Sequence, residues 1–225
     1  MKKSLLALAV LGLAGAAAAQ SSVTLYGLAD VGVGKARIDG DNKHHMLSGS
    51  AMSNLTSRVG VRGAEDLGGG TRVGFQFETG LSLNDGATLG AGGGFWGRQA
   101  NLWIGGSWGT FTLGRALTPS YWGVAAWELT GQVNYSVVGN TYQYADDVSA
   151  RNSSQFSYTT PDFGGLTGRL GYVLKDDHGG RAKWDLGLSY ANGPIGAGLS
   201  ANKTSHGGTN WALGGKYNFG PFALA

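Results

Sequence analysis

The sequence contains no cysteine, only 4 prolines, and no long apolar run after its first 20 residues. Without cysteine the chain has no disulfide to stabilise it and no thiol to act as a nucleophile or metal ligand. Scarce proline together with 11% aromatic residues argues against a disordered linker. No basic run or basic face stands out, so nothing suggests nucleic-acid binding. These absences leave an ordered chain whose stability has another source.

The first 19 residues have the layout of a secretory signal peptide. Lys2 and Lys3 form a positive start, and residues 5–19 are apolar and end in three alanines. Such a small-residue end predicts cleavage after Ala19. The alternative, a membrane-anchoring helix, needs about 20 apolar residues, and this run is shorter. Loss of both lysines from the 17 basic residues leaves 15, against 14 acidic residues, so residues 20–225 are nearly neutral.

Glycine is abundant where the other special residues are scarce. The chain has 42 glycines, about two and a half times the ordinary share of about 7%. They follow no G-x-y period, which excludes collagen. The apolar residues are spread thinly, one at every second position, so the mean hydropathy is only −0.09. This composition is typical of a transmembrane β-barrel.

The alternation of apolar and polar residues predicts strands throughout residues 20–225. The ten predicted strands lie at residues 22–34, 55–64, 71–83, 96–106, 110–116, 151–160, 166–175, 183–191, 195–203 and 210–218. The alternation breaks phase near Arg98, which a β-bulge would explain. Short connections, rich in glycine, lie at residues 65–70, 107–109, 161–165, 192–194 and 219–221. They alternate with long connections at residues 35–54, 84–95, 117–150, 176–182 and 204–209. An up-and-down barrel in an outer membrane has short periplasmic turns and long outer loops in this order.

A soluble β-sandwich would show the same alternation with its apolar face buried. Two features favour the membrane. The polar positions carry many charges, which suit a water-filled lumen, and aromatic residues gather at strand ends, where an interfacial girdle would lie. The girdle candidates are Trp96, Trp108, Trp184, Tyr190, Trp211 and Tyr217. Because every backbone amide must be paired in lipid, such strands have to close into a ring.

Several segments resemble the general porins of β-proteobacteria. The strongest are QSSVTLYGLADVGVG at residues 20–34 and SRVGVRGAEDLGGG at residues 57–70. Shorter matches are VGFQFETG at 73–80, GRQA at 97–100, WGTFTLGR at 108–115 and YTTPDF at 158–163. The resemblance implies an all-β, 16-stranded antiparallel barrel in the outer membrane, assembled as a homotrimer. It also implies a passive, water-filled pore narrowed by a third loop folded inward, which is the segment at residues 117–150.

The chain departs from this family in length and in its final residues. Family members are roughly half as long again and end in an aromatic residue, whereas this chain ends with Phe222 followed by three further residues, just after a turn. We therefore expect an incomplete chain in which an eleventh strand has only begun. A finished ten-stranded barrel is the alternative, since small barrels exist.

The candidate pore residues are basic residues of the wall and acidic residues of the long loop. The arginines are Arg58, Arg62, Arg72, Arg98, Arg115 and Arg169. The loop acids are Glu128, Asp146 and Asp147. Opposite charges facing each other across a narrow pore create a transverse field that tunes which ions pass. In the alternative reading, these arginines only solvate the wall or pair with turn carboxylates such as Glu65 and Asp66.

The leading hypothesis is a diffusion channel for ions and small hydrophilic solutes, embedded in outer-membrane lipid and mildly anion-preferring. A non-conducting adhesin or structural barrel and an outer-membrane hydrolase are the alternatives. The GxSxG match at residues 105–109 and the GxGxxG match at residues 92–97 lack the helix that would give either one meaning. His44 and His45 are adjacent and face apart in an extended chain, so we predict no metal site and no cofactor.

Overall fold

The computed structural model describes residues 22–35, 44–49, 53–90, 94–143 and 149–225. The segment expected to be a signal peptide, residues 1–19, lies outside these ranges, as do Asp146 and Asp147.

Strands make up most of the described chain. They are β1 (Ser22–Leu28), β2 (Gly32–Lys35), β3 (His44–Leu47), β4 (Arg58–Gly68), β5 (Thr71–Gly80), β6 (Gln99–Gly106), β7 (Gly109–Leu117), β8 (Arg151–Thr159), β9 (Leu166–Val173), β10 (Lys183–Asn192), β11 (Ile195–Thr204), β12 (Thr209–Asn218) and β13 (Ala223–Leu224). Two short helices, α1 (Pro119–Ala125) and α2 (Val137–Gln143), lie between β7 and β8, and a single 3₁₀ turn (Lys175–Asp177) follows β9. In the described ranges, no helix is long and apolar enough to cross a membrane.

Eleven of the strands form one antiparallel sheet in the order β1-β4-β5-β6-β7-β8-β9-β10-β11-β12-β13, and β2 pairs with β3 separately. Consecutive strands of the main sheet are neighbours, as the up-and-down topology predicts. The alternation of short and long connections holds as far as β11, but the connection between β11 and β12, residues 205–208, is no longer than the short turns. Glycines with positive φ make the short turns possible. Gly69 and Gly70 between β4 and β5 have φ of 60° and 76°, values that only glycine adopts without strain.

The first predicted strand, residues 22–34, is wrong in extent, because β1 ends at Leu28. Residues Gly32–Lys35 leave the main sheet and pair instead with His44–Leu47. Alternation continues through this break, so periodicity alone gives no sign of it. The other nine predicted strands are present, with boundaries that differ by up to four residues.

Asp30 provides the physical reason for the break after β1. Its backbone N–H donates to Ser57 Oγ at 2.8 Å, and its Oδ2 accepts a hydrogen bond from the Leu55 N–H at 2.9 Å. The ladder between β1 and β4 stops where Leu28 pairs with Arg58. A side chain that bonds nearby backbone groups in this way competes with strand pairing.

The predicted bulge near Arg98 is also wrong. Strand β6 begins one residue later, at Gln99, so Arg98 belongs to the preceding loop and the ladder needs no irregularity there. The register shifts of the described sheet occur instead between Asp66 and Gly68 and between Gly114 and Ala116.

The sheet is polar on its inner face and apolar on its outer face. On β10 and β11, the inner-face residues Asp185, Ser200 and Asn202 are 4% exposed or less. On β12, the outer-face residues Trp211 and Leu213 are 70% and 69% exposed. In the described chain, Val124 and Val173 are the only large apolar residues that are buried. This pattern is the reverse of a soluble sandwich and suits an outer face immersed in lipid.

The sheet is strongly curved around its polar face. Strands β5 and β9 are four strand spacings apart, which would be about 19 Å in a flat sheet. Nevertheless, Gln76 of β5 and Arg169 of β9 line the same cavity of about 380 Å³. The eleven strands therefore form the curved wall of a barrel, and the cavity lies in its lumen.

The long connection at residues 118–150 folds onto the inner face through helix α1. Thr118 caps this helix by accepting a hydrogen bond from the Tyr121 N–H at 3.2 Å, and Pro119 occupies the first turn, where its missing N–H costs nothing. The helix packs against β10 and β11. Gly187 and Gly198 make this close approach possible, because a Cβ at either position would overlap a carbonyl oxygen of the helix, at Pro119 or Gly123.

We predict that Gly198→Ala lowers the free energy of unfolding by about 1–3 kcal/mol, because the added methyl group pushes α1 away from the wall. Gly215→Ala on β12 is the matched control. A Cβ there points to the outer face and has no neighbour closer than 3.6 Å. Guanidinium unfolding followed by tryptophan fluorescence gives both values. Equal unfolding midpoints for the two variants would show that the glycine is not required for docking.

Candidate functional site

Ser120 anchors the inward loop to the wall. Its backbone N–H donates to Asp185 Oδ1 at 2.5 Å and its hydroxyl group to Asp185 Oδ2 at 3.1 Å. Ser200 Oγ donates in turn to the Ser120 carbonyl oxygen at 2.6 Å. All three side chains are buried. The helix is therefore fixed to two adjacent strands by hydrogen bonds, one partner being a carboxylate, which makes the bonds stronger than neutral ones.

The same loop then crosses the lumen and attaches to the segment preceding β4. The Asn134 N–H donates to the Asn54 carbonyl oxygen at 2.9 Å, and Asn134 Nδ2 donates to Ser53 Oγ at 3.0 Å. The Tyr135 hydroxyl group donates to Asn54 Oδ1 at 2.8 Å. The loop therefore bridges the wall at β10 and β11 to the segment on the opposite side of the lumen.

Glu128 holds the turn between the two helices. Its carboxylate accepts hydrogen bonds from the Thr130 N–H, the Thr130 hydroxyl group, the Gln132 N–H and the Ser136 hydroxyl group, at 2.5–2.9 Å. Burial by itself would raise the pKa of Glu128, but these four donors outweigh it and hold the pKa below its ordinary value. The charge is directed into its own loop, and Glu128 does not line the main cavity of the lumen.

The main lumen cavity has a volume of about 640 Å³ and lies between the loop and strands β4 to β8. Three arginines, Arg58, Arg98 and Arg151, line it together with one carboxylate, Glu78. Arg98 Nε lies 2.6 Å from Glu78 Oε1, and Arg58 Nε lies 3.7 Å from Glu78 Oε2. Tyr26 also donates to Glu78, at 2.9 Å. The three guanidinium groups exceed the carboxylate by two positive charges.

Two buried donors in this cavity lack a protein partner within the described residues. They are Arg151 Nε and Gln132 Nε2, and both side chains line the cavity. An unpaired buried donor is costly unless water or a solute satisfies it. Tyr121 also lines the cavity, and burial raises the pKa of its hydroxyl group, so it stays neutral and adds no negative charge at physiological pH. The cavity is therefore suited to anions.

The structure separates the arginines that the sequence had grouped. Arg58 and Arg98 line the main cavity, while Arg169 lines the smaller one, donating to Ser189 Oγ at 2.9 Å. Arg62 and Arg72 also lie on the inner face but line neither cavity.

Arg115 is on the other face of the sheet. It pairs with Ala100 in the outward-facing register, and its Nε donates to the Gly97 carbonyl oxygen at 2.6 Å. Its Nη1 donates to Ser153 Oγ at 2.8 Å. Strand β7 stays in register with β6, so Arg115 shares the outward parity of Phe111 and Leu113. The extra residue at the register shift lies on β8, between Asn152 and Gln155.

Arg151 and Asp185 are the residues of this site that sequence reasoning missed. Arg151 is the first residue of β8 and was counted as a strand boundary. Asp185 has the polar parity expected of a lumen residue, and its role depends on a serine 65 positions earlier in the chain. The one feature of the sequence that could have indicated this contact is a long loop together with a glycine-rich wall. In the described part of the chain, no three His, Asp or Glu residues come together as a metal site.

A curved antiparallel wall, apolar outside and polar inside, with a loop folded across its lumen, defines a transmembrane β-barrel of the pore-forming class. The family model described as Gram-negative porin matches residues 4–225. The chain therefore belongs to the Gram-negative porin family, which makes it an outer-membrane protein and a porin rather than an enzyme.

Individual relatives agree with this assignment. Outer membrane porin protein 32 of Delftia acidovorans is 38% identical over the whole chain, which spans 68% of that protein's length. The anion-selective porin from Comamonas acidovorans superposes with a TM-score of 0.71 at 30% identity, covering 89% of this chain and 65% of that one. The trimer form of OmpT from Vibrio cholerae superposes with a TM-score of 0.59 at 16% identity over 89% of this chain and 62% of that one, which shows a shared fold alone.

We predict that Glu128→Gln destabilises the protein by about 1–3 kcal/mol at pH 7, because the amide replaces two acceptor oxygens with one. Since the folded state lowers the pKa of Glu128, the carboxylate's stabilising effect is complete above its ordinary pKa and is lost as the pH falls through the lowered value.

The difference in unfolding midpoint between wild type and variant should therefore shrink on acidification from pH 7 to about pH 3. Glu65→Gln, at an exposed position in the β4–β5 hairpin, serves as the control. A difference for Glu128→Gln that stays constant with pH would contradict this role of the carboxylate.

Proposed function

We propose that the protein forms a passive, water-filled channel for ions and small hydrophilic solutes, with a modest preference for anions. The observation that carries the proposal is the charge balance of the 640 Å³ cavity, where, among the described residues, three arginines face a single glutamate. The Comamonas porin, whose name describes it as anion-selective, is consistent with this preference. The chain spans about two thirds of that structure, so the proposal concerns the lumen that these residues line.

The solute path passes beside the inward loop. The main cavity and the smaller cavity of about 380 Å³ share four lining residues: Gln76, Gln99, Leu117 and Trp122. These residues mark the boundary between the two compartments. Two uncharged amides, an aliphatic side chain and an indole form this boundary, so the charge filter lies on one side of it and a chamber with Arg169 as its one charged lining residue on the other.

The acidic loop residues predicted from the sequence have a smaller part in this proposal than the arginines. Glu128 is occupied by its own turn, while Asp146 and Asp147 lie outside the described residues, and their role in the pore stays a prediction. The positive charge of the cavity is offset mainly by Glu78, which is bonded to Arg98. Screening confines such charge effects to about 8–10 Å at moderate salt.

We predict that Arg58→Glu shifts ion preference strongly towards cations, whereas Arg62→Glu does so weakly. Both side chains lie on the inner face of β4, but only Arg58 lines the cavity. A unit charge about 6 Å from an ion contributes about 0.7 kcal/mol in water, so its reversal changes the permeability of each ion about tenfold, upward for the cation and downward for the anion. The zero-current potential of single channels in a planar bilayer under a salt gradient measures this ratio.

The comparison of the two variants also tests where selectivity originates. Equal shifts for Arg58→Glu and Arg62→Glu would mean that the whole wall, rather than the cavity, sets the preference. The absence of stepwise conductance from a folded, membrane-inserted wild-type protein would refute the channel itself and favour a structural barrel.

We further propose that the protein assembles as a homotrimer. The Vibrio cholerae protein of the same fold is described in a trimer form, and the resemblance of residues 20–34 and 57–70 to β-proteobacterial porins implies the same assembly. Sedimentation of the detergent-solubilised, unheated protein should give three times the mass of the heat-denatured chain. A monomeric mass for protein that conducts in bilayers would contradict the trimer.

A further inference from the structure

The smaller lumen cavity, of about 380 Å³, differs in chemistry from the main cavity. It is bounded by strands β5 to β9 and by the start of the inward loop, and Arg169 is the only ionisable residue among the described residues that line it. Its other polar lining consists of amides and hydroxyl groups. Its volume lies within the range of about 300–1,000 Å³ that is usual for small-molecule sites. A chamber with this lining has little means of selecting ions, but many means of hydrogen bonding.

Four hydroxyl groups form the floor of this chamber. Thr110 and Thr112 of β7 are the direct cross-strand partners of Thr159 and Ser157 of β8. Direct partners have Cβ atoms about 5 Å apart, and residues two apart on a strand are separated by about 6.8 Å. The four side chains therefore mark the corners of a rectangle close in size to one sugar ring. Within the described chain, none of these hydroxyl groups has a side-chain hydrogen bond to the protein.

Trp103 extends the floor with a flat aromatic surface. It is the cross-strand partner of Thr112 on one side and of Gly74 on the other. A Cβ at Gly74 would lie 2.5 Å from Trp103 Cζ2 and 2.6 Å from Cε2, so the indole lies down over the glycine. Because Trp103 also lines the cavity, the ring has a surface available to a solute beside the hydroxyl groups.

The side of the chamber next to the loop is closed by Trp122 and Arg169. The Arg169 guanidinium lies 5.1 Å from the centre of the Trp122 ring and donates to Ser189 Oγ at 2.9 Å. The guanidinium therefore has a ring and a hydroxyl group as partners, in a cation–π geometry that also holds the indole in place. The chamber thus offers ring surfaces and hydroxyl partners beside a single positive charge.

We propose that this chamber is a binding site for a sugar-like ring, a neutral solute carrying several hydroxyl groups. The hydroxyl groups of Thr110, Thr112, Ser157 and Thr159 bond its edge, and Trp103 contacts its apolar face. The proposal rests on the channel function, since a solute reaches the chamber through the lumen. The sugar site would accept neutral polyhydroxyl solutes in addition to the anions that the main cavity favours. The main cavity does not favour such solutes, because a neutral ring gains nothing from its excess positive charge.

The experiment measures equilibrium binding of methyl α-D-glucopyranoside by saturation-transfer NMR, using the full-length protein folded in a detergent without sugar groups. The double variant Thr110→Val/Thr112→Val removes two hydroxyl groups and keeps the side-chain shape and strand preference. Its dissociation constant should rise about tenfold, the effect of losing two ordinary hydrogen bonds. Trp103→Ala should also weaken binding, by about 2- to 10-fold, through loss of the ring contact.

Thr167→Val on β9 is the matched control, because Thr167 is on the same inner face but outside the cavity. It should bind the glucoside as the wild type does. Mannitol, an open-chain polyol, should bind more weakly than the glucoside because it has no ring face to contact Trp103. No saturable glucoside signal, equal binding by the double variant and Thr167→Val, or equal binding of mannitol and the glucoside would each overturn the proposal.

Bilayer recordings separate this proposal from the channel function. Glucoside added to a conducting wild-type channel should reduce its current at saturating concentrations, and the double valine variant should need more glucoside for the same reduction. Stepwise conductance without glucoside binding would leave the channel function intact and overturn the sugar site. Glucoside binding in detergent without any conductance would support the sugar site and overturn the channel function.

Discussion

The hydrogen bonds that join Ser120 to Asp185 and Ser200 hold helix α1 against the inner face of the wall, and the layout of the lumen depends on that position. Backbone approaches backbone at Gly187 and Gly198, where a side chain would leave no room. Once α1 is seated there, the loop crosses the lumen to Asn54 and divides it into two compartments. A loop held at only one end would leave a wide, undivided lumen.

The sheet that carries this loop obeys a different constraint, set by lipid. The nine strands between β1 and β13 in the main sheet each pair with two neighbours, which satisfies the backbone groups that lipid cannot. The apolar residues then face outward and the polar residues inward, so the buried groups of this protein are serines, threonines, amides and charges. The hydrogen bonds that anchor the loop form between these inward-facing groups. The outward placement of apolar residues therefore suits the wall to lipid, and the inward placement of polar residues provides the partners that fix the loop.

Charge is distributed unevenly between wall and loop. Glu128 is committed to its own turn and Asp185 to Ser120, so neither faces the main cavity. Within the part of the chain that the structure describes, Glu78 alone offsets the three arginines there. Beyond Trp122 and Gln99 the lining consists mainly of amides and hydroxyl groups with one arginine, Arg169, so one loop separates a compartment with several charges from one suited to hydrogen bonding.

The sequence by itself determined the class, the strands and the order of the connections. Period-two alternation and glycine turns are local properties, and nine of the ten predicted strands lie where the pattern placed them, within a few residues. The alternation also indicates which residues face inward. It correctly places four arginines on the polar face: Arg58, Arg62, Arg72 and Arg169.

What only the tertiary structure decided is which inward residues meet. Arg58 and Arg62 are indistinguishable by parity, yet one lines the cavity and the other does not. The break at Asp30 and the pairing of Ser120 with Asp185 both depend on contacts between residues distant in sequence. Alternation fixes the face on which a side chain lies, because each strand repeats every two residues. It carries no information on where a loop returns to that face, because that position is set by packing and hydrogen bonds across the lumen.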